Sequence, residues 1–189
     1  KNCQIGIGGQ NCHESESYGP YTGSVNPRML KNIGADFVII GHSENRKKGE
    51  NDKLINLKIK SAIQAKLKVI FCIGETLTEK IKKKTQSILS RQIKVGLDGI
   101  KNKSNIFIAY EPVWAIGTGM IPKSKDLFKI IKFIKNKFKD KQPKVLYGGS
   151  VSSQNINSLK EINNIDGFLI GGASQNAKKF IDIVKKTYS

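Results

Sequence analysis

Short apolar runs alternate with longer segments of helical period along the whole sequence of 189 residues. This alternation constrains the fold most, because alternating β and α units build a parallel sheet covered by helices. The predicted strands are 5–9, 37–41, 68–73, 106–110, 144–147 and 167–170. The predicted helices are 27–33, 51–65, 76–97, 125–138, 155–162 and 177–188. The pattern fits either a doubly wound sheet or a (β/α)8 barrel, and since no linker divides it, we expect one α/β domain over residues 1–189.

A formal net charge of +18 is the strongest compositional bias of the chain. Such a charge attracts nucleic acid or anionic membranes without further design. Only three of the 33 basic residues are arginine, however, and the lysines are spread among many Asn and Ile residues. Nucleic-acid sites usually combine arginine with stacking aromatic side chains. We therefore predict solvated helix faces and no nucleic-acid partner, with a basic nucleic-acid or anionic-surface binder as the alternative.

The sequence has no run of about 18 apolar residues and no apolar leader segment, so we predict no membrane span, no signal peptide and a cytoplasmic location. The three cysteines, Cys3, Cys12 and Cys72, are odd in number and have neither metal nor redox spacing. We therefore expect reduced thiols, and we predict no metal site.

Chemically useful side chains follow the predicted strands, where sheets and barrels of this class place their sites. His42 and Glu44 follow strand 37–41, and Glu111 follows strand 106–110. Taken singly, each has a plain structural interpretation, as a hydrogen-bonded histidine or a carboxylate at a helix start. At one edge of a sheet, however, a base and an electrophile together supply what proton transfer beside a carbonyl requires.

Glycine pairs follow the last two predicted strands, at Gly148-Gly149 and Gly171-Gly172. Glycine lets backbone N–H groups approach an anion closely, and a following helix N-terminus adds a favourable field. A single pair is more often plain turn chemistry. Two pairs on neighbouring strands, with Ser150 beside the first, favour a phosphate site.

Segment 112–119 begins with proline and ends with Gly-Thr-Gly, with Trp114 and Ile116 between them. This composition is typical of a lid that is stiff in the middle and hinged at its ends, and that excludes water when it closes. The alternative interpretation is an ordinary βα loop that contains a packed tryptophan.

Four motifs resemble the signature segments of the triosephosphate isomerase family, in the same order and at matching spacings. They are GHSENR at 41–46, AYEPVWAIGTG at 109–119, YGGSV at 147–151 and FLIGGAS at 168–174. The second motif is highly specific, and the resemblance extends over the whole chain, including GQN at 9–11 and YTG at 21–23. It implies a TIM (β/α)8 barrel and an isomerase of glycolysis and gluconeogenesis that interconverts dihydroxyacetone phosphate and glyceraldehyde 3-phosphate.

The resemblance also implies a role for each matching residue. Glu111 would be the base that moves a proton between two substrate carbons, and His42 would be the neutral electrophile that polarises the carbonyl, as in the known mechanism of the family. The residues that would hold the substrate phosphate are Gly117, Ser150, Gly171 and Gly172. Ile116 and Leu169 would press on the reacting carbons, and Glu44 would support the site. No metal or organic cofactor is implied.

The family works as a homodimer in which a loop from one subunit inserts beside the neighbour's active site. The matching loop is 11–26, with Thr22 near its tip. A loop of 16 residues without secondary structure is unusual unless it is functional, although an ordinary surface loop is the alternative. We therefore expect this chain to form a homodimer.

The chain departs from the family pattern at its start. A barrel of this kind has eight strands in about 250 residues, whereas this sequence predicts six strands in 189 residues. The asparagine and lysine that end the family's first strand have no match. We therefore expect an incomplete barrel, with six of the eight βα units, that exposes two sheet edges and is inactive as an isolated chain. Another phosphate-binding barrel enzyme and a non-catalytic remnant are the alternatives.

Overall fold

The computed structural model describes residues 5–138 and 141–189, so Cys3 lies outside the described residues. The described residues group into two compact units. The first unit contains the described residues up to Cys72 together with Arg91–Phe107, and the second contains Ile73–Ser90 together with the described residues of Ile108–Ser189. The expectation of one domain over residues 1–189 stays a prediction.

A six-stranded sheet runs through the described residues, and its strands follow one another in chain order. The strands are β1 (Gly8–Gly9), β2 (Phe37–Ile40), β3 (Lys68–Ile73), β4 (Ile106–Tyr110), β5 (Val145–Tyr147) and β6 (Gly167–Phe168). β1 pairs parallel with β2, β2 with β3, β4 with β5, and β5 with β6. The parallel sheet confirms the predicted α/β class, although β1 and β6 are shorter than predicted.

Helices connect the strands, as the sequence pattern predicts. The α-helices are α1 (Pro27–Asn32), α2 (Ser43–Lys47), α3 (Asp52–Gln64), α4 (Leu77–Ile81), α5 (Thr85–Gly96), α6 (Ser124–Lys135), α7 (Ile156–Lys160) and α8 (Ala177–Tyr188), and two short 3₁₀ helices span Val113–Ala115 and Gly172–Gln175. None of the helices in the described part of the chain is long and apolar enough to cross a bilayer.

The prediction of one helix over 76–97 is wrong, because the chain forms α4 and α5 there. Between them Lys83 has a φ of 55°, in the left-handed region, and a right-handed helix cannot continue through that conformation. The short helix α2, directly after His42, was not predicted.

Side-chain caps set the starts of the first helices. The Oδ1 atom of Asn26 accepts a hydrogen bond from the Met29 N–H at 2.9 Å, and Pro27 occupies the first helical position of α1. The Oδ1 atom of Asn51 accepts from the Leu54 N–H at 3.0 Å at the start of α3. Each cap satisfies an N–H group that has no partner within its own helix.

The core of the first unit lies around β2 and β3. Val38, Ile40, Val69 and Phe71 are fully buried on these strands. A Cβ atom at Gly96 would lie 2.5 Å from Cζ of Phe71, so α5 packs on the phenyl ring only because this position has no side chain. Burial on both faces explains why these strands read as continuous apolar runs.

The core of the second unit joins strand residues to α6. The fully buried residues include Ile108, Ala109, Tyr110, Val145 and Tyr147 on the strands and Leu127, Ile131 and Ile134 on α6. Lys125, Lys129 and Lys132 of α6 are exposed. This helix therefore has the apolar face and the solvated lysine face that its period predicts.

Arg46 joins three parts of the first unit. Its guanidinium donates to the carbonyl oxygens of Gly41 at 2.8 Å and Cys72 at 3.1 Å, and to Oδ1 of Asp52 at 2.6 Å. The other oxygen of Asp52 accepts from Nε of Arg91 at 3.1 Å. Arg46 is largely buried, with 18% of its side chain exposed, whereas 56% of the Arg91 side chain is exposed. Arg46 thus holds the ends of two strands and the start of α3 together.

We expect Arg46→Lys to lower the free energy of unfolding by about 1–3 kcal/mol, because an ammonium cannot reproduce the fork of donors and leaves buried acceptors unpaired. The matched control is Arg91→Lys, which changes an exposed partner of the same carboxylate and should cost less than about 1 kcal/mol. Urea unfolding of both variants measures the difference. Equal losses would show that Arg46 has no special structural role.

Candidate active site

Glu111 lies at the end of β4, and its backbone is fixed by the end of β3. Its N–H group donates to the carbonyl oxygen of Ile73 at 2.8 Å. A Cβ atom at Gly74 would lie 1.8 Å from the carbonyl oxygen of Glu111, so only glycine allows this approach. Glu111 itself is 3% exposed. The carboxylate that the sequence predicts as a base is therefore a buried group on a rigid backbone.

Gly148 lies beside the Glu111 side chain. Its N–H group donates to the carbonyl oxygen of Tyr110 at 2.8 Å. A Cβ atom at Gly148 would lie 2.9 Å from Cγ of Glu111 and 3.5 Å from Cβ of Leu169. A side chain at Gly148 would thus collide with the Glu111 side chain. Leu169 lies beside the same position.

Ser150 holds segment 112–119 at two points. Its hydroxyl donates to the carbonyl oxygen of Ala115 at 2.6 Å and accepts from the N–H of Gly119 at 3.0 Å. Ile116 and Gly117 lie between these two points, and both Gly117 (φ 70°) and Gly119 (φ 76°) have the left-handed conformation that favours glycine. The structure therefore brings three predicted site residues together, Ile116, Gly117 and Ser150.

Gly171 and Gly172 are exposed, and nothing lies within 4 Å of the place that a Cβ atom would take at either of them. Gly172 begins a 3₁₀ helix, and the carbonyl oxygen of Gly171 accepts from both the N–H and the hydroxyl of Ser174, at 2.8 and 2.7 Å. Packing does not require glycine at these two positions. The backbone there is exposed to solvent.

Glu75 is a buried carboxylate that the sequence reasoning missed. It is 1% exposed and accepts from Nε1 of Trp114 at 2.9 Å and from the hydroxyl of Tyr110 at 3.2 Å. The carbonyl oxygen of Glu75 also accepts from the N–H of Val113 at 3.0 Å. Glu75 follows β3 by two residues, so the rule that singled out residues after strand ends could have found it.

Burial is the main influence on the pKa of Glu75 and raises it above the ordinary value of 4.5. The hydrogen bonds from Trp114 and Tyr110 and the charge of Lys80 act in the opposite direction. Burial also raises the pKa of Tyr110 well above its usual value, and the negative charge of Glu75 adds to this effect. Tyr110 therefore stays a hydrogen-bond donor to the carboxylate.

His42 and Glu44 lie in the first unit, at the start of α2. The Nδ1 atom of His42 accepts from the N–H of Glu44 at 3.3 Å and so caps the helix. An accepting Nδ1 carries no proton, so the neutral ring has its proton on Nε2. Glu44 is exposed in the first turn of α2.

Thr22 lies in an exposed turn of loop 11–26, also in the first unit. The N–H of His13 donates to the carbonyl oxygen of Val25 at 2.8 Å and closes the base of the loop. The ring of His13 lies 4.2 Å from that of Tyr21, centroid to centroid. The loop has its own internal contacts although it contains no helix or strand.

The described part of the chain has no group of three or more His, Cys, Asp or Glu residues that could hold a metal ion. Cys12 is a free, buried cysteine, and Cys72 is buried as well. Burial, opposed by the charge of Lys58, raises the pKa of Cys12 to about 12, so its thiol stays protonated.

Comparison with known proteins identifies the family. A sequence model described as triosephosphate isomerase matches residues 1–187. A triosephosphate isomerase of Thermodesulfovibrio yellowstonii is 48% identical over 177 residues, which cover 90% of this chain and 72% of the relative. A triosephosphate isomerase of Chlorobium luteolum is 43% identical over 189 residues, which cover 96% of this chain and 75% of the relative. The crystal structure of triosephosphate isomerase from Bartonella henselae is 40% identical and covers 98% of this chain and 78% of that one, with a TM-score of 0.89.

This chain belongs to the triosephosphate isomerase family. Membership confirms two expectations from the sequence, the α/β fold of the TIM-barrel type and an isomerase function. It also decides against an unrelated phosphate-binding barrel enzyme, because the similarity to triosephosphate isomerases covers nearly the whole chain. The roles of individual residues and the absence of two N-terminal βα units stay predictions.

For this family member we expect Glu75→Gln to change how the free energy of unfolding depends on pH. Because the pKa of Glu75 is raised in the folded state, the folded protein binds more protons than the unfolded chain. Ionisation of this carboxyl therefore lowers the free energy of unfolding as the pH rises from the pKa of Glu75 in the unfolded chain through its pKa in the folded protein.

The neutral amide of Glu75→Gln does not titrate, so the native protein should lose stability relative to the variant as the pH rises above the ordinary carboxyl pKa of 4.5. Denaturant unfolding at several pH values measures this difference. Glu161→Gln, which removes an exposed carboxylate, is the control. Parallel pH profiles of the native protein and Glu75→Gln would contradict the prediction.

Proposed function

We propose that this chain supplies the catalytic base, Glu111, of an enzyme that interconverts dihydroxyacetone phosphate and glyceraldehyde 3-phosphate. The observation that carries the proposal is the buried Glu111 carboxylate, whose backbone is fixed against Ile73 and Gly74 at a strand end. A carboxylate that is largely removed from water and held in place is suited to proton transfer at carbon. Family membership supplies the reaction.

The proton transfer takes place in two steps. Glu111 takes a proton from the carbon beside the substrate carbonyl, and the electrons of the broken C–H bond move to the carbonyl oxygen to give an enediolate. Glu111 then returns the proton to the former carbonyl carbon, while His42 passes a proton from the hydroxyl oxygen on the first carbon to the former carbonyl oxygen, which completes the exchange between ketose and aldose. No oxidant and no cofactor are consumed, because the substrate is its own source of electrons and proton.

His42 stabilises the developing negative charge on the oxygen. A neutral ring with its proton on Nε2 donates a hydrogen bond there without adding a full positive charge. The capping bond from the Glu44 N–H to Nδ1 supports this proposal, because it occupies Nδ1 as an acceptor. Glu44 takes no direct part in the chemistry and stabilises the start of α2.

The phosphate would be bound by N–H groups of Gly117, Gly171 and Gly172 with the help of Ser150. Exposed glycines suit this role, since an anion can approach their N–H groups closely. Segment 112–119 would cover the intermediate and exclude water, which keeps the enediolate from losing its phosphate. Ile116 and Leu169 would contribute the apolar contacts on the reacting carbons.

We further propose a cytoplasmic homodimer that works in glycolysis and gluconeogenesis. Loop 11–26 would insert beside the neighbour's site, with the exposed Thr22 near its tip. The internal contacts of His13 support a loop that is ready to bind, because a preformed loop loses little entropy on association.

Glu111→Gln should lower the isomerase activity by about 10²–10⁴-fold, because the amide cannot accept the proton. The test is a coupled assay with glyceraldehyde 3-phosphate, on this chain and on the same chain extended upstream in its own reading frame. Glu161→Gln is the control, since it removes an exposed carboxylate. A folded protein without activity in either form would favour the non-catalytic remnant, and full activity in Glu111→Gln would contradict the role of Glu111.

Thr22→Arg should weaken self-association, because a new charge at the tip of the loop would have to be desolvated on insertion into the partner. Sedimentation velocity over a range of protein concentrations measures the mass of the species. Thr78→Arg adds the same charge at an exposed position of α4 and should leave the dimer intact. A monomer at every concentration of the unchanged protein would overturn the homodimer proposal.

A further inference from the structure

Lys80 lies directly over the indole ring of Trp114. Its Nζ atom is 3.1 Å from the ring centroid. Lys80 belongs to α4, whose start is fixed by a capping box in which Thr76 and Glu79 exchange hydrogen bonds between side chain and backbone. The backbone from which the Lys80 side chain reaches the ring is therefore fixed by a capped helix.

The indole is held at its edge as well as on its face. Its Nε1–H donates to Oε1 of Glu75 at 2.9 Å, and Glu75 is fully buried. A bond from N–H to a carboxylate pushes electron density into the ring, which strengthens the attraction of a cation above it. The charge of Lys80 also favours the ionised form of Glu75. Lys80, Trp114 and Glu75 thus support one another.

We infer that Lys80 is a positioning residue for the isomerase reaction: by holding the indole of Trp114, it keeps segment 112–119 in place to bind the substrate phosphate. The inference rests on the proposed function, in which this segment covers the substrate. Trp114 begins the part of the segment that Ser150 holds through the carbonyl oxygen of Ala115. If the indole moved, the backbone of Ile116 and Gly117, which follow it closely in the chain, would therefore move as well.

Trp114 is the single tryptophan of the chain, so tryptophan fluorescence reports on this indole and no other. We compare Lys80→Met, which keeps the length of the side chain without its charge, with Lys80→Arg, which keeps the charge. The fluorescence anisotropy of Trp114 should fall in Lys80→Met and should be retained in Lys80→Arg. Lys82→Met, which removes an equal charge at the end of α4, should have no effect.

The kinetic effect should appear in KM more than in kcat, because the segment would hold the phosphate equally in the substrate and in the transition state. We expect KM to rise by about two- to fivefold in Lys80→Met, which corresponds to the usual strength of a cation–π contact at a partly exposed site. Lys80→Arg should restore the native value. Lys82→Met should again behave like the native protein.

The two measurements separate this inference from the proposed function. Unchanged anisotropy in Lys80→Met overturns the inference, whatever the activity. A fall in anisotropy with a native KM overturns the role in substrate binding. If this chain and the same chain extended upstream are both folded but inactive, the proposed function fails, and the anisotropy of Lys80→Met still decides whether Lys80 holds Trp114.

Discussion

The close approach of two backbones, at Gly74 and Glu111, is the constraint on which the candidate site depends. A side chain at position 74 would occupy the place of the Glu111 carbonyl oxygen. With glycine there, the N–H of Glu111 reaches the carbonyl oxygen of Ile73, and the N–H of Val113 reaches that of Glu75. One residue without a side chain thus aligns the buried Glu111 with the start of segment 112–119.

Among the described residues of the second unit, Glu75 and Glu111 are buried carboxylates, and Glu75 has several polar partners. Burying a charge is costly unless donors surround it. Glu75 has two neutral donors, Trp114 and Tyr110, and a nearby cation on Lys80. Trp114 and Lys80 also hold the 112–119 segment, so the interactions that favour the ionised form of Glu75 are in part the same ones that hold the segment. Burying Glu75 therefore costs desolvation energy, but it also helps to hold segment 112–119.

Sequence reasoning predicted the parts of this protein that depend on local period and on residues after strand ends. The bounds of β3, β4 and α8 agree with the prediction, because the two strands are nearly continuous apolar runs and α8 keeps one helical period. The break near Lys83 was missed since lysine carries no signal for a left-handed conformation. Glu75 was missed for another reason: its partners Trp114 and Tyr110 are distant in sequence, and a single carboxylate after a strand does not show what it will bind.

The two halves of segment 112–119 differ in how they are held. Its first half is held by Glu75 and Lys80 through Trp114, and by Ser150 through Ala115. Its second half is held by the Ser150 hydroxyl at Gly119 and by the Thr118 hydroxyl, which donates to the carbonyl oxygen of Trp114 at 3.3 Å, and it contains two glycines in the left-handed conformation. Because glycine loses the most conformational entropy when it is ordered, closing this half costs more than closing the first. A substrate phosphate that bound the N–H of Gly117 would offset this cost, so binding and ordering of the second half would be coupled.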